Sequence, residues 1–234
     1  MHQFTYNGHS SVEYRMLVNS KGTFSMPERA LERVEVPGRN GDILVDGGRW
    51  HNVTVRYKVG IPRGFQDHWR DARSLMLSEP GYHRLEDTFH PEEYRMAVLT
   101  GGIEPEIFGA HRRAGNLEIV FSCKPQRYLK SGERPLTLQE PGTVLNEWME
   151  SLPLITVSGS GEGTLTVGDV EVELLDIDGH ITLDCDVMDA YKGNENRNDR
   201  IATERFPVLA HGRNDITWSG GVTGLVITPR WLRL

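Results

Sequence analysis

His83 and His90 lie close to Glu92 and Glu93, and imidazole with carboxylate is a donor set that suits a divalent metal. None of the nine histidines falls into H-x-x-x-H or H-E-x-x-H spacing or pairs with a cysteine at ligand distance in sequence, so a solvated loop accounts for the group as well. Asp176, Asp178, Asp184, Asp186 and Asp189 could converge from a hairpin on calcium, which takes hard oxygen ligands. They lack the twelve-residue loop pattern and read as the wet face of an antiparallel pair. Ser158-Gly159-Ser160-Gly161 is a glycine-flanked serine. A nucleophile elbow needs a strand feeding a helix, and Thr164 to Val167 continues as strand, so a glycine-rich turn is expected. Cys185 falls between Leu183 and Val187 on an apolar face, where a thiolate is disfavoured. Gly38-Arg39-Asn40-Gly41-Asp42 has neither the following helix nor the lysine of a phosphate loop. No catalytic, cofactor-binding or metal-ligating residue is expected, and the chain does not read as an enzyme.

The elements around these residues are mostly strands. Val53, Val55, Tyr57 and Val59 alternate with Thr54, Arg56 and Lys58, the period-two signature of a half-buried strand. The pattern recurs at Leu117, Ile119, Phe121, at Ile155, Val157, at Leu165, Val167, at Val170, Val172, Leu174, and at Ile181, Leu183, Cys185, Val187. Asp178-Gly179 predicts a tight hairpin turn and Gly168-Asp169 a weaker one. Gln66 to Ser78 carries Trp69, Ala72, Leu75 and Met76 at helical spacing and stops at Pro80-Gly81. A second helical stripe runs from Thr143 to Leu152.

The 234 residues carry 26 Lys+Arg and 33 Asp+Glu, a net charge of −7. Residues 1–130 balance at +2 and 131–234 at −9, so the acidic second part is a poor grip for nucleic acid. No run of 18 apolar residues is present, which argues against insertion in a membrane. Met1-His2-Gln3-Phe4 lacks a basic leader with an apolar stretch, so synthesis in the cytoplasm is expected. Cys123 and Cys185, 62 residues apart, support neither a zinc knuckle nor a disulfide framework. The polar segment Lys130 to Pro135 suits a linker. The expected organisation is an N-terminal domain over 1–130, a linker over 131–153 and a C-terminal β-sandwich over 154–234.

Taken in order, these segments resemble the distal tail protein (Dit) family of long-tailed phages, found at siphovirus tail tips and baseplates. The resemblance runs from Phe4-Thr5-Tyr6-Asn7-Gly8 and Ser11 through Val36-Pro37-Gly38-Arg39-Asn40-Gly41-Asp42 and the strand after it. It continues with Trp69 to Leu77 before Pro80-Gly81-Tyr82-His83-Arg84-Leu85, then Phe121-Ser122-Cys123-Lys124-Pro125. Pro153 to Gly161 resembles the opening of the family's C-terminal domain. Phe206 to Leu209, Gly212-Arg213-Asn214 and Ile227 to Trp231 resemble its close.

The resemblance implies a mainly β protein with minor α content. Its N-terminal belt domain is expected to be a β-sandwich with one helix and a hairpin, forming the ring. Its C-terminal domain is expected to be a galectin-like β-sandwich, with the last strand free to return to the first domain. The implied function is a structural hub: a homohexameric ring joining the tail tube protein and tape-measure end to the tail-associated protein and receptor-binding apparatus. DNA passes through its channel only in transit. No cofactor is implied, and the location is the virion tail tip after assembly in the host cytoplasm. Gly38, Arg39, Asn40, Gly41, Asp42, Trp69, Arg112 and Arg113 are the candidate ring interface. Asn146-Glu147-Trp148-Met149-Glu150 departs from the small, glycine-containing stretch expected there, and the chain has no room for an inserted carbohydrate-binding module. The competing reading is a glycan-binding, lectin-like adhesion module using His211, Arg213, Asn214 and Trp218, where an aromatic beside polar groups could stack a sugar ring.

Overall fold

The computed structural model describes residues 2–19, 22, 24–109 and 113–234. It is mainly β and divides into two compact units, Met1–Arg127 with Leu234, and Tyr128–Arg233.

The first unit contains β1 (Phe4–Tyr6), β2 (His9–Ser10), β3 (Leu17–Val18), β4 (Arg29–Val34), β5 (Ile43–Trp50) and β6 (Val53–Ile61). After β6 come the helix α1 (Phe65–Met76), then β7 (His83–Asp87), β8 (Glu93–Leu99), β9 (Glu106–Phe108) and β10 (Ala114–Cys123). Its main sheet is antiparallel in the order β2-β1-β7-β8-β10-β6-β3, with β9 on the first half of β10. The alternation read from Val53 to Val59 is realised: the valines and Tyr57 are buried and Thr54, Arg56 and Lys58 are exposed. Phe4, Tyr57 and Phe121 form the aromatic centre, with Phe4 stacked on Tyr57 at 4.8 Å between ring centroids. Helix α1 buries Phe65, Ala72 and Met76. Gly64, at φ +66°, supplies the left-handed turn that starts it, and the Phe65 N–H donates to the Arg113 carbonyl at 3.1 Å.

From Arg127 the chain forms β11 (Arg127–Leu129), β12 (Leu136–Leu138), β13 (Gly142–Asn146), β14 (Leu154–Val167) and β15 (Val170–Asp184). There follow β16 (Asp189–Lys192), β17 (Glu195–Asn196), β18 (Ile201–Ala202), β19 (Gly212–Thr228) and β20 (Leu232–Arg233). The second unit is built on one eight-stranded antiparallel sheet, ordered β12-β19-β14-β15-β16-β17, with β13 also on β19 and β18 on β15. Ile155, Val157, Leu165, Val172, Leu183, Ile216 and Ile227 fill its core.

Three local expectations differ from this arrangement. The helix predicted over 143–152 is absent. Gly142–Asn146 is instead a strand paired with β19 in the register Val144↔Asn214 and Asn146↔Gly212, and Val144 and Asn146 are its inward positions. Both β12 and β13 therefore lie in the stretch 131–153 expected as linker. Asp178-Gly179 is not a hairpin turn but the middle of β15, with Gly179 opposite Gly159. The turn is made at Gly168-Asp169, where Val167 pairs with Val170. Val187, expected inward, is exposed in the turn between β15 and β16.

A charged clasp ties down the end of the second unit. Arg230 donates through both terminal nitrogens to Asp184, at 2.6 and 3.0 Å. The hydrogen bond from Arg230 holds the Asp184 carboxyl below its ordinary range against the opposing effect of burial, and the guanidinium charge lowers it further. A carboxyl with a depressed folded value stabilises fully above its unfolded value, near pH 4, and that contribution disappears as pH falls through the lower folded value. Urea unfolding of Asp184→Asn is expected to show a loss of about 1–2 kcal/mol at pH 7. The gap to the parent narrows as the pH is lowered through the acid range; a constant gap contradicts the linkage.

Candidate functional site

The most unusual surface of the first unit is an arm. Strands β4 and β5 pair only with each other, in the register Leu31↔Asp46, Glu32↔Val45, Arg33↔Leu44 and Val34↔Ile43. Residues 36–42 turn the chain at the arm's tip. The Arg39 N–H donates to the Val36 carbonyl at 3.1 Å, and Gly38 and Gly41 take φ of +79° and +83°, which only glycine adopts without strain. Gly38, Arg39, Asn40, Gly41 and Asp42 are all exposed.

Cross-strand partners share a face, so the arm has two different sides. One carries Leu31 and Leu44 among Arg29, Arg33 and Asp46. Arg29 grips Asp46 (Nε to Oδ1 3.0 Å) and lies 5.0 Å from the Trp50 ring. The other carries Val34, Ile43 and Val45, which are 40%, 41% and 47% exposed, with Glu32 directly opposite Val45. An isolated two-stranded ribbon is marginal in water, and three exposed aliphatic side chains on one face add an apolar surface.

Trp69 lies on α1, apart from the arm, and lines an apolar groove of about 250 Å3 with Met76, Leu77, Leu99 and Ile103. Arg73 stands at this groove and makes no ion pair among the described residues. Arg113 is exposed and serves the helix start through its carbonyl. Arg112 lies outside the described residues. The structure thus distributes the candidate interface over three elements: an arm tip, a helix face and the strand-leading segment at Arg113.

Sequence reasoning missed a polar cluster inside the first unit. Tyr57 donates to Asp87 Oδ2 at 2.6 Å, and Asp87 Oδ1 accepts from the His90 backbone N–H while lying 2.9 Å from its Nδ1. Glu93 and Arg95, 5% and 8% exposed, occupy inward positions of β8, and Arg127 donates to Glu93 at 3.2 Å. The signal was present in the alternation Glu93, Arg95, Ala97, whose charged members share the parity of a buried alanine. Burial, followed by the charge and hydrogen bond of Asp87, pushes the Tyr57 hydroxyl far up.

The remaining chemical candidates have other partners. His83 Nε2 contacts the Glu79 carbonyl at 3.2 Å. Asp176 pairs with Arg200, Asp178 with Lys192 and Asp184 with Arg230, and Asp189 accepts from Asn196 and Asn198. Among the described residues no three His, Cys, Asp or Glu side chains are grouped to hold a metal ion, and no helix is long and apolar enough to cross a membrane. Burial pushes the Cys123 and Cys185 thiols up to about 12. Ser158 to Gly161 runs within β14. Of the sugar-stacking set, Asn214 is buried and its amide donates to the carbonyls of Val144, Ala210 and Gly212, while Trp218 packs on the core.

No family model and no curated protein matches the chain by sequence. In structure it is similar to SPP1 Dit (gp 19.1), described as a paradigm of the hub adsorption apparatus in phages infecting Gram-positive hosts. The TM-score is 0.71 at 10% identity, covering 100% of this chain and 98% of that one. The chain has the fold of that protein.

Proposed function

We propose that this chain is the structural hub of a long-tailed phage tail tip, working in the virion and breaking no bonds. The observation that carries the reading is the fold likeness to a phage adsorption-apparatus hub over the whole of both chains. In this reading six copies close into a ring through the first unit, and the second unit acts as a galectin-like outer module. The ring joins the tail tube and tape-measure end to the tail-associated protein and receptor-binding apparatus, and DNA passes through it. Six copies carry −42 charges, which gives passing DNA little reason to bind. A cyclic ring is heterologous, each copy offering one surface to a different surface of the next. A projecting arm and a separate groove suit that requirement. The lectin reading is weakened because Asn214 spends its amide on the backbone.

Light scattering after size exclusion, repeated at rising protein concentration, is expected to reveal a six-copy species. Negative-stain images of intact particles bearing a tagged chain are expected to show the label on a six-membered collar at the tube's tip. Another location or symmetry overturns the reading.

A further inference from the structure

We infer that the Val34, Ile43, Val45 face of the arm docks into the Trp69 groove of a neighbouring copy, with Glu32 meeting Arg73. The inference rests on the ring reading and deepens it by naming the two surfaces and their order. Each surface is incomplete in the same way. The arm face is three exposed aliphatics with the Glu32 carboxylate opposite Val45. The groove is apolar with a single guanidinium. Neither Glu32 nor Arg73 makes an ion pair among the described residues. The opposite face of the arm does not fit, because Arg29, Arg33 and Asp46 interrupt its two leucines.

At about 250 Å3 the groove is smaller than the roughly 300–1,000 Å3 of small-molecule pockets, and suits a few side chains of a macromolecule. A second copy is the occupant that supplies an aliphatic face carrying the complementary charge. Apolar burial would provide the attraction, and the charge pair would set which face enters.

The test exchanges the charges in separate chains. Glu32→Arg places like charges in every arm–groove contact of its own assembly, as does Arg73→Glu. Each variant alone is expected to self-associate at least about tenfold more weakly than the parent, since juxtaposed like charges are strongly disfavoured. An equimolar mixture restores opposite charges at every contact if the two variants alternate, and an even-membered ring can close that way. Recovery of the parent's assembly in the mixture, read by light scattering with circular dichroism showing both variants folded, is the result expected.

If the parent assembles and both variants assemble equally well alone, these surfaces are not the contact. If both fail alone and the mixture fails too, Glu32 and Arg73 do not meet between copies; recovery only in the double variant would place the contact within one chain. In all of these cases the ring reading stands while the present inference falls. A parent that stays monomeric at every concentration overturns both.

Discussion

Glu93→Ala is expected to destabilise the first unit by about 3–5 kcal/mol, the range for removing one partner of a buried ion pair. The carboxylate is 5% exposed and lies against Arg127, with Arg95 two residues along the same inward face of β8. Both guanidinium terminal nitrogens of Arg95 lack a hydrogen-bond partner among the described residues. Burial, and next the charge of Arg127, holds Arg95 below the ordinary arginine range, so Glu93 is what keeps the buried Arg95 and the partly buried Arg127 tolerable. Truncating it leaves them facing each other in a medium where charge is poorly solvated.

The same reasoning fixes the sign of a second variant. Removing the cation as well, in Glu93→Ala with Arg95→Met, is expected to recover part of the loss, because a long apolar side chain replaces an unpaired charge. Urea unfolding of the parent, the single variant and the pair measures both. A single variant within about 1 kcal/mol of the parent, or a pair worse than the sum of its members, would mean that the cluster is more solvated than its geometry implies.

Elements whose residues satisfy one local rule were legible. Val53 to Val59 alternates without interruption, and α1 keeps a helical stripe from Phe65 to Met76. Errors arose where pairing with a distant strand overrode local pattern. Val144, Leu145, Trp148 and Met149 satisfy helical spacing, yet β19 offers that stretch a ladder from Gly212 to Ile216, and a short segment follows its partner. Asp178-Gly179 carries the composition of a tight turn, but the positive φ of Gly179 is used within β15. The inward positions of β15 shift parity earlier, between Leu174 and Ile177, opposite the irregularity between Gly161 and Gly163.

The candidate interface was half legible for a similar reason. Two glycines around Arg39 and Asn40 announce a turn, so the arm's tip could be named. Its flanks could not, because Leu31 and Val34, like Leu44 and Val45, put apolar side chains on both faces. Period-two reasoning assumes one wet face and one dry face. A ribbon that projects from the unit breaks that assumption.

The glycine run that looked like a nucleophile elbow has a packing cause. Gly159, Gly163, Gly220 and Gly221 sit where β14 and β19 lose register with each other, between Ser158 and Gly163. A Cβ placed on Gly221 would lie 1.9 Å from the Ser160 carbonyl oxygen, and one on Gly159 would lie 2.2 Å from the Gly221 carbonyl oxygen. Both obstacles are backbone, so neither can swing aside as a side chain would. Gly221→Ala is therefore expected to cost about 3 kcal/mol or more, at or beyond the upper end for overpacking a dense interior, by prying β14 and β19 apart. Gly161 supplies the control. It lies in the same run at φ +73° with open space around its Cβ position, so Gly161→Asn is expected to cost under about 1 kcal/mol, since asparagine tolerates the left-handed region. Denaturant unfolding of the two variants separates crowding from conformational freedom. Equal losses at 161 and 221 would show that the run is kept for its flexibility, and the close approach of β14 to β19 would no longer explain it.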